Sequence, residues 1–230
     1  MIYITKLTKT YGKARGVTGL TLHVPEGACF GFIGPNGAGK STTIRALLGL
    51  LSPTSGSARV LGLDCVGEKE KILAQVGNMP SEAMFYPDMR ASEVIRLSAD
   101  LRRRNCKAEA RALCAALELD THKRIRELSL GNRKKVSIVC AMQHRPRLYI
   151  LDEPTSGLDP LVQRAFWSEL DARRREGATV FLSSHVLYEV ARHCDRAAVL
   201  REGRLIAEGT TAELDIENKF FDYYEGRANV

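Results

Sequence analysis

Apolar and polar positions along the chain switch between a strand-like period of two and a helix-like period near 3.6. The opening, Met1 to about Thr21, alternates as a strand does. "GACFGFIG" (Gly27–Gly34) is a short apolar run that ends in glycine, and "KSTTIRALLGLL" (Lys40–Leu51) follows with helical spacing. That order predicts a strand, a glycine loop and a helix. From Ser92 to about Gln143 the pattern is mostly helical, with heptad-like apolar spacing in "ASEVIRLSADL" and "ARALCAALEL". "RLYILDEP" (Arg147–Pro154) and "ATVFLSSH" (Ala178–His185) are continuous apolar runs with polar ends, the pattern of parallel strands buried on both faces. "AAVLREGRLIAEG" (Ala197–Gly209) reads as a hairpin turning at Glu202-Gly203. No repeat, low-complexity tract or linker interrupts the chain, and a polar-aromatic tail, "NKFFDYYEG" (Asn218–Gly226), lies near its end. An α/β core interrupted by a helical lobe is the simplest assembly.

Composition narrows the class. The 230 residues suffice for one large domain or a core with a small lobe, and 44% hydrophobic with 27% charged residues is ordinary for a globular protein. Apolar runs such as "ALLGLL" (Ala46–Leu51) are too short to span a bilayer, and "MIYITKLTKTYGK" lacks the charged-then-apolar layout of a signal peptide. Six scattered cysteines, with no CxxC pair, read as reduced small core residues. The net charge of +7 points to an acidic partner, either nucleic acid or an anionic membrane surface. The basic clusters "LRRRN" (Leu101–Asn105) and "ARRRE" (Ala172–Glu176) look like exposed helix faces without interleaved aromatics, so no nucleic-acid partner is expected.

"GPNGAGKST" matches the phosphate-binding pattern GxxxxGK[ST], with the strand before it and the helix after it that the chemistry requires. Gly34, Pro35, Asn36, Gly37, Ala38, Gly39, Lys40, Ser41 and Thr42 form the loop. Its glycines let the backbone wrap closely and aim N–H groups at phosphate oxygens. Lys40 can reach the outer phosphates, and the Ser41 hydroxyl can ligate Mg²⁺. "LYILDEP" supplies the complement: Asp152 at a strand tip to hold Mg²⁺, and Glu153 just beyond it to polarise an attacking water. A third stretch, "LSLGNRKKV" (Leu128–Val136), begins with Ser129, a good helix N-cap, and places three cations in the first turns. Cations there oppose the helix dipole. Either this end is kept electropositive for an anion, or Arg133, Lys134 and Lys135 are a solvated face.

Together these motifs make the chain resemble the nucleotide-binding subunit of an ABC transporter, and the resemblance covers nearly all of it. "LSLGN" is similar to the family signature, usually LSGGQ, with Leu130 for Gly and Asn132 for Gln; Ser129 and Gly131 are kept. The resemblance implies that this helix start approaches the γ-phosphate of an ATP held by a second subunit. Tyr11 in "KTYGK" corresponds to the aromatic that stacks on adenine, though it also suits a strand end. Asp159 in "SGLD" (Ser156–Asp159) belongs to the loop that crosses the dimer interface and is also a plausible N-cap. His185 corresponds to the switch histidine that contacts γ-phosphate; its other reading is a satisfied structural histidine. One departure affects coupling: Ser81 stands where the family usually carries a Gln that helps ligate Mg²⁺, and Glu82 or a water is the candidate substitute.

The fold implied is α/β: a P-loop NTPase core with a parallel sheet, an N-terminal antiparallel β part and an inserted α-helical subdomain. Residues 1–230 form one domain, with the core at about 1–82 and 144–230 and the helical subdomain at about 83–143. The function implied is an ATP-hydrolysing subunit, catalytic through Glu153, His185 and Lys40. It works on the cytoplasmic face of the membrane as a peripheral partner of a separate permease docking near Ala83–Arg96, on an exporter-type branch. Two rivals stand beside it: a soluble ABC-type ATPase acting on DNA or ribosomes, and a regulatory module that binds ATP with negligible turnover.

Overall fold

The computed structural model describes residues 1–12, 14–216 and 223. The tail reading therefore lies outside the described residues except at Tyr223. Two sheets are stacked. The smaller is antiparallel, ordered β2-β1-β4-β5, with β1 at Ile2–Tyr11, β2 at Ala14–Val24, β4 at Ser55–Val60 and β5 at Leu63–Asp64. The larger has six strands ordered β10-β9-β3-β8-β7-β6: β3 Cys29–Ile33, β6 Val76–Met79, β7 Leu148–Asp152, β8 Thr179–Ser184, β9 Arg196–Arg201 and β10 Arg204–Thr210. Five of these strands run parallel, and β10 is the antiparallel edge, closing the hairpin expected at Glu202-Gly203.

Alternate residues of the central strands feed two separate cores, as the pleat requires. Phe30, Phe32, Leu148, Ile150, Phe181, Ala198 and Leu200 pack toward the small sheet and the helix α1 (Lys40–Leu47). Cys29, Ile33, Tyr149, Leu151, Val180, Leu182, Ala197 and Val199 pack toward the opposite face. There they meet α5 (Leu130–Met142), α6 (Pro160–Arg175) and α7 (Leu187–His193). This two-sided burial is why the strand runs read as continuously apolar. The helical lobe contributes α3 (Ala91–Leu101) and α4 (Lys107–Ala116), whose Val94, Ile95 and Leu113 join the same buried cluster as α5 and the sheet.

Two expectations change. The first helix stops at Leu47 rather than Leu51, because Gly49 turns with φ +65°, where an added Cβ would lie 2.3 Å from the Cys65 carbonyl oxygen. "ARRRE" is not an exposed face throughout: Arg173 is buried on α6 and ion-paired to Glu109 of α4, with Glu169 at 3.6 Å. β6 has no counterpart in the expected elements, since four residues carry too little periodicity to register. All six cysteines are free thiols; Cys29, Cys65, Cys106 and Cys194 are buried, while Cys114 and Cys140 are partly so.

β6 packs on α5 at Gly77, where a Cβ would sit 2.4 Å from the Ala141 carbonyl oxygen of α5 and 2.8 Å from Tyr149 Cδ1 of β7. Gly77→Ala is expected to destabilise the protein by about 1–3 kcal/mol, the usual cost of overpacking. Urea titration measures it; a loss below about 0.5 kcal/mol would show that α5 yields freely at this contact.

Candidate functional site

The parallel register decides which side chains meet. Ile33 pairs with Ser184, and Asp152 pairs with Ser183, so β3, β8 and β7 end at one edge of the sheet. The chain leaves β3 there through residues 34–39 and re-enters as α1. Gly37 and Gly39 take φ +81° and +106°, conformations that a side chain strains. Gly34 passes so close to β9 that a Cβ would lie 2.5 Å from the Leu200 carbonyl oxygen. Gly39 is the N-cap of α1 and no side chain caps this helix, so its first N–H groups face the cleft as a ready anion cradle.

A cleft of about 320 Å³ is lined by Pro35, Asn36, Gly37, Gly39, Lys40, Ser41, Thr42, Ser81 and Glu153. Lys40 is buried, and its ammonium donates to the Gly34 carbonyl at 2.6 Å. It also stands 3.3 Å from Glu153 Oε1, an ionic contact outside hydrogen-bond alignment. Glu153 leaves the strand with φ +50°. Its other carboxylate oxygen lies 2.7 Å from Nδ1 of His185, so this histidine's partner is the acid itself.

Asp152 is buried at the tip of β7 and accepts from the Ser183 hydroxyl at 2.5 Å. The same Ser183 oxygen accepts from the Glu153 N–H at 3.1 Å. Ser183 thus positions both acids, a role the sequence signalled only as part of a polar strand end. Ser41 and Asp152 offer an oxygen-only pair, which suits Mg²⁺, an ion that retains waters and phosphate oxygens. Among the described residues no group of three or more His, Cys, Asp or Glu forms an all-protein metal cage. Ser81, not Glu82, is the residue of its loop that lines the cleft.

Other expected residues lie apart. Tyr11, half-exposed at the end of β1, sits beside Gly16, whose carbonyl packs against Gly39; the ring flanks the loop without lining the cleft. Asp159 caps α6 by accepting from the N–H groups of Leu161 and Val162. Ser129 caps α5 by accepting from Asn132 N–H, and a Cβ on Gly131 would lie 3.2 Å from the Gly157 carbonyl oxygen. Neither Ser129 nor Gly131 lines the cleft of its own chain. Of the three cations behind them, Arg133 is exposed and Lys135 half-buried, but Lys134 is buried with its ammonium 2.5 Å from the Glu153 carbonyl oxygen. A solvated face does not describe it. Glu189, also unforeseen, is buried and accepts from Thr155 Oγ1 at 2.7 Å, and burial raises its carboxyl pKa. It fastens the loop after β7 to α7.

Residues 17–156 match the family model described as ABC transporter. The chain belongs to the ABC transporter family. It is the ATP-binding, ATP-hydrolysing subunit. The bacitracin transport ATP-binding protein BcrA of Bacillus licheniformis is 36% identical over 90% of this chain and 69% of its own length. The Nod factor export ATP-binding protein I of Paraburkholderia xenovorans strain LB400 is 36% identical over 93% and 72%. A solved ATP-binding subunit of an ABC transporter superposes with TM-score 0.88 at 30% identity, covering 98% of each chain. A dimeric ATP-binding cassette in a post-hydrolysis state with ADP and Pi superposes at 0.84 with 24% identity, over 92% of this chain and 99% of that one, a likeness of fold.

Removing the Ser183 hydroxyl takes a hydrogen bond from Asp152 and another from Glu153 in one step. In this ABC subunit Ser183→Ala is expected to raise the Mg²⁺ concentration for half-maximal ATP turnover by roughly 10- to 100-fold, the usual effect of losing a partner behind a metal ligand. A Mg²⁺ titration at saturating ATP reads it, and an unshifted curve would detach Asp152 from the metal.

Proposed function

We propose that this chain hydrolyses Mg-ATP at two sites of a head-to-tail dimer and thereby drives a separate membrane permease in export. The observation that carries the reading is the meeting of Lys40, Glu153 and His185 at one edge of the sheet, 3.3 Å and 2.7 Å apart. Bound Mg-ATP supplies the phosphoanhydride that is cleaved. The chain supplies everything around it. The backbone N–H groups of Gly34 and residues 36–42 and the Lys40 ammonium hold the phosphates, Ser41 and Asp152 hold Mg²⁺, and Tyr11 stacks on adenine. Glu153 takes a proton from the attacking water, and His185 orients the carboxylate and meets the γ-phosphate. Ser129, Gly131 and Asp159 act on the nucleotide of the partner subunit. Supporting this is their position outside the cleft of their own chain.

No described helix is long and apolar enough to cross a membrane. The transport role therefore requires a permease, and we place the chain peripherally on the cytoplasmic side. Within the helical subdomain, proposed as residues 83–143, Met84 and Tyr86 are strongly exposed, which supports docking at Ala83–Arg96. A neighbouring cleft of about 880 Å³, with Arg96, Arg103, Lys107 and Arg111 on its walls, extends that surface. Export is favoured by the Nod factor relative's name, and the cargo is proposed to be a small molecule, lipid or peptide.

Glu153→Gln is expected to retain ATP binding and lose turnover about 10²–10⁴-fold, since an amide is no base. Near-normal turnover would remove Glu153 from that role. The action of Ser129 on the partner is tested by mixing. Lys40→Ala and Ser129→Arg are each expected to be inactive alone. Equal, exchanging pools rebuild one complete site in the half of dimers that are mixed, restoring roughly a quarter of wild-type activity. No recovery despite verified exchange would place the signature in cis or require both sites at once.

A further inference from the structure

Glu153 occupies a left-handed backbone conformation that side chains other than glycine adopt at a cost, so something must hold it. Its N–H is held by Ser183, through the carbonyl at 3.2 Å and the hydroxyl at 3.1 Å. Its carbonyl is held by Lys134, at 2.5 Å. Lys134 belongs to another element. It stands three residues after Gly131 on α5, on the same helix face, where Gly131 abuts the Gly157 carbonyl. The first two turns of α5 therefore lie along the loop that leaves β7 and touch it twice, once through a glycine and once through an ammonium.

A buried ammonium is costly unless it is fully compensated. Burial holds the Lys134 ammonium below the usual lysine range, opposed by the carboxylates of Glu153, Asp152 and Glu189. An apolar residue would fill this position without that penalty. What the lysine adds is a charged donor directed at the one peptide whose conformation sets where the Glu153 carboxylate points.

We propose that Lys134 is the positioning residue for Glu153, clamping its carbonyl so that the helix whose cap serves the partner's nucleotide also aims the carboxylate of its own chain. This rests on the roles given above to Glu153 and Ser129. The prediction is positional. A displacement of the reacting group by about 1 Å costs on the order of 10²-fold in rate. Lys134→Met is therefore expected to lower kcat by roughly 10- to 100-fold, with the KM for ATP and the melting temperature little changed. Lys134→Arg, which keeps a charged donor, should recover most of the loss.

The deciding experiment places Lys134→Met in the mixed dimer. Carried on the Ser129→Arg chain, whose own Glu153 serves the rebuilt site, it should abolish most of the recovered activity. Carried on the Lys40→Ala chain, which only lends its signature, it should leave recovery intact. Equal loss in both arms would make Lys134 a mere stabiliser of α5 and overturn the inference, as would wild-type kcat in the Lys134→Met homodimer. If mixing yields no recovery, the homodimer decides: a kcat loss at constant KM that arginine repairs supports the clamp, and a loss that arginine does not repair refutes it. Should the methionine variant fold poorly, Lys134→Leu, which also lacks a donor, replaces it in each arm. Near-normal turnover by Glu153→Gln would defeat the reading of Glu153 itself, and with it any clamp that works through that residue. A dead Glu153→Gln beside an unimpaired Lys134→Met would defeat the clamp alone.

Discussion

Parallel pairing of β3, β8 and β7 is the constraint on which the site depends. Parallel strands pair in fixed steps, and a slip of one residue would turn every side chain to the other face. Here both faces are buried, with Phe30, Phe32 and Phe181 on one and Tyr149, Val180 and Leu182 on the other. A slip would turn Phe30, Phe32 and Phe181 into the layer that packs against α5, α6 and α7, and Val180 and Leu182 into the layer facing the small sheet. The register that avoids this sets Asp152 opposite Ser183 and ends β3 beside Ser184. Chemistry at the edge is thus positioned by packing in the interior, several residues away.

The helical lobe is attached to this frame by interactions of two kinds. Leu113, Val94 and Ile95 extend the apolar cluster of α5 and α6, an attachment that tolerates small sliding. The pairing of buried Arg173 on α6 with Glu109 on α4 is directional, and Arg145 adds a second cation to Glu109 at 3.2 Å. Buried pairs contribute little net stability, because desolvation offsets the attraction, whereas breaking one leaves a stranded charge. Such a pair therefore fixes where α4 sits against α6 more than how tightly. A lobe proposed to take force from a permease needs a defined seat of this kind.

What the sequence revealed follows from how local each signal is. The phosphate loop was legible because its glycines, Lys40 and Ser41 lie within nine residues between an apolar run and a helical one. Asp152 was legible because a strand buried on both faces has few reasons to end in acids. Ser183 was not: it reads as one more polar residue, and its two hydrogen bonds go to a strand thirty residues back. Arg173 was misjudged for the same reason, since its partner Glu109 is sixty-four residues away and three consecutive arginines on a helix look solvated. The helix end at Leu47 was overrun because "LLGLL" continues the apolar pattern, while the turn at Gly49 is imposed by the approach of Cys65.

The three cations behind "LSLG" illustrate the same limit and also its physical content. An exposed cation in the first turn of a helix costs roughly 0.3–1 kcal/mol against the dipole, an effect that has faded by Lys134 and Lys135, the fifth and sixth residues of α5. Lys134 has a local reason to stay, since the Glu153 carbonyl lies 2.5 Å from its ammonium and three carboxylates surround it. Its charge is answered by acids of the same chain, so it adds little to the potential at the mouth of α5. Arg133 is exposed and Lys135 half-buried, and neither has an ion pair among the described residues. A single run of basic residues thus divides into one buried, one half-buried and one exposed cation. The division follows from helical geometry, because successive residues step by about 100° and only one of three can face the catalytic loop.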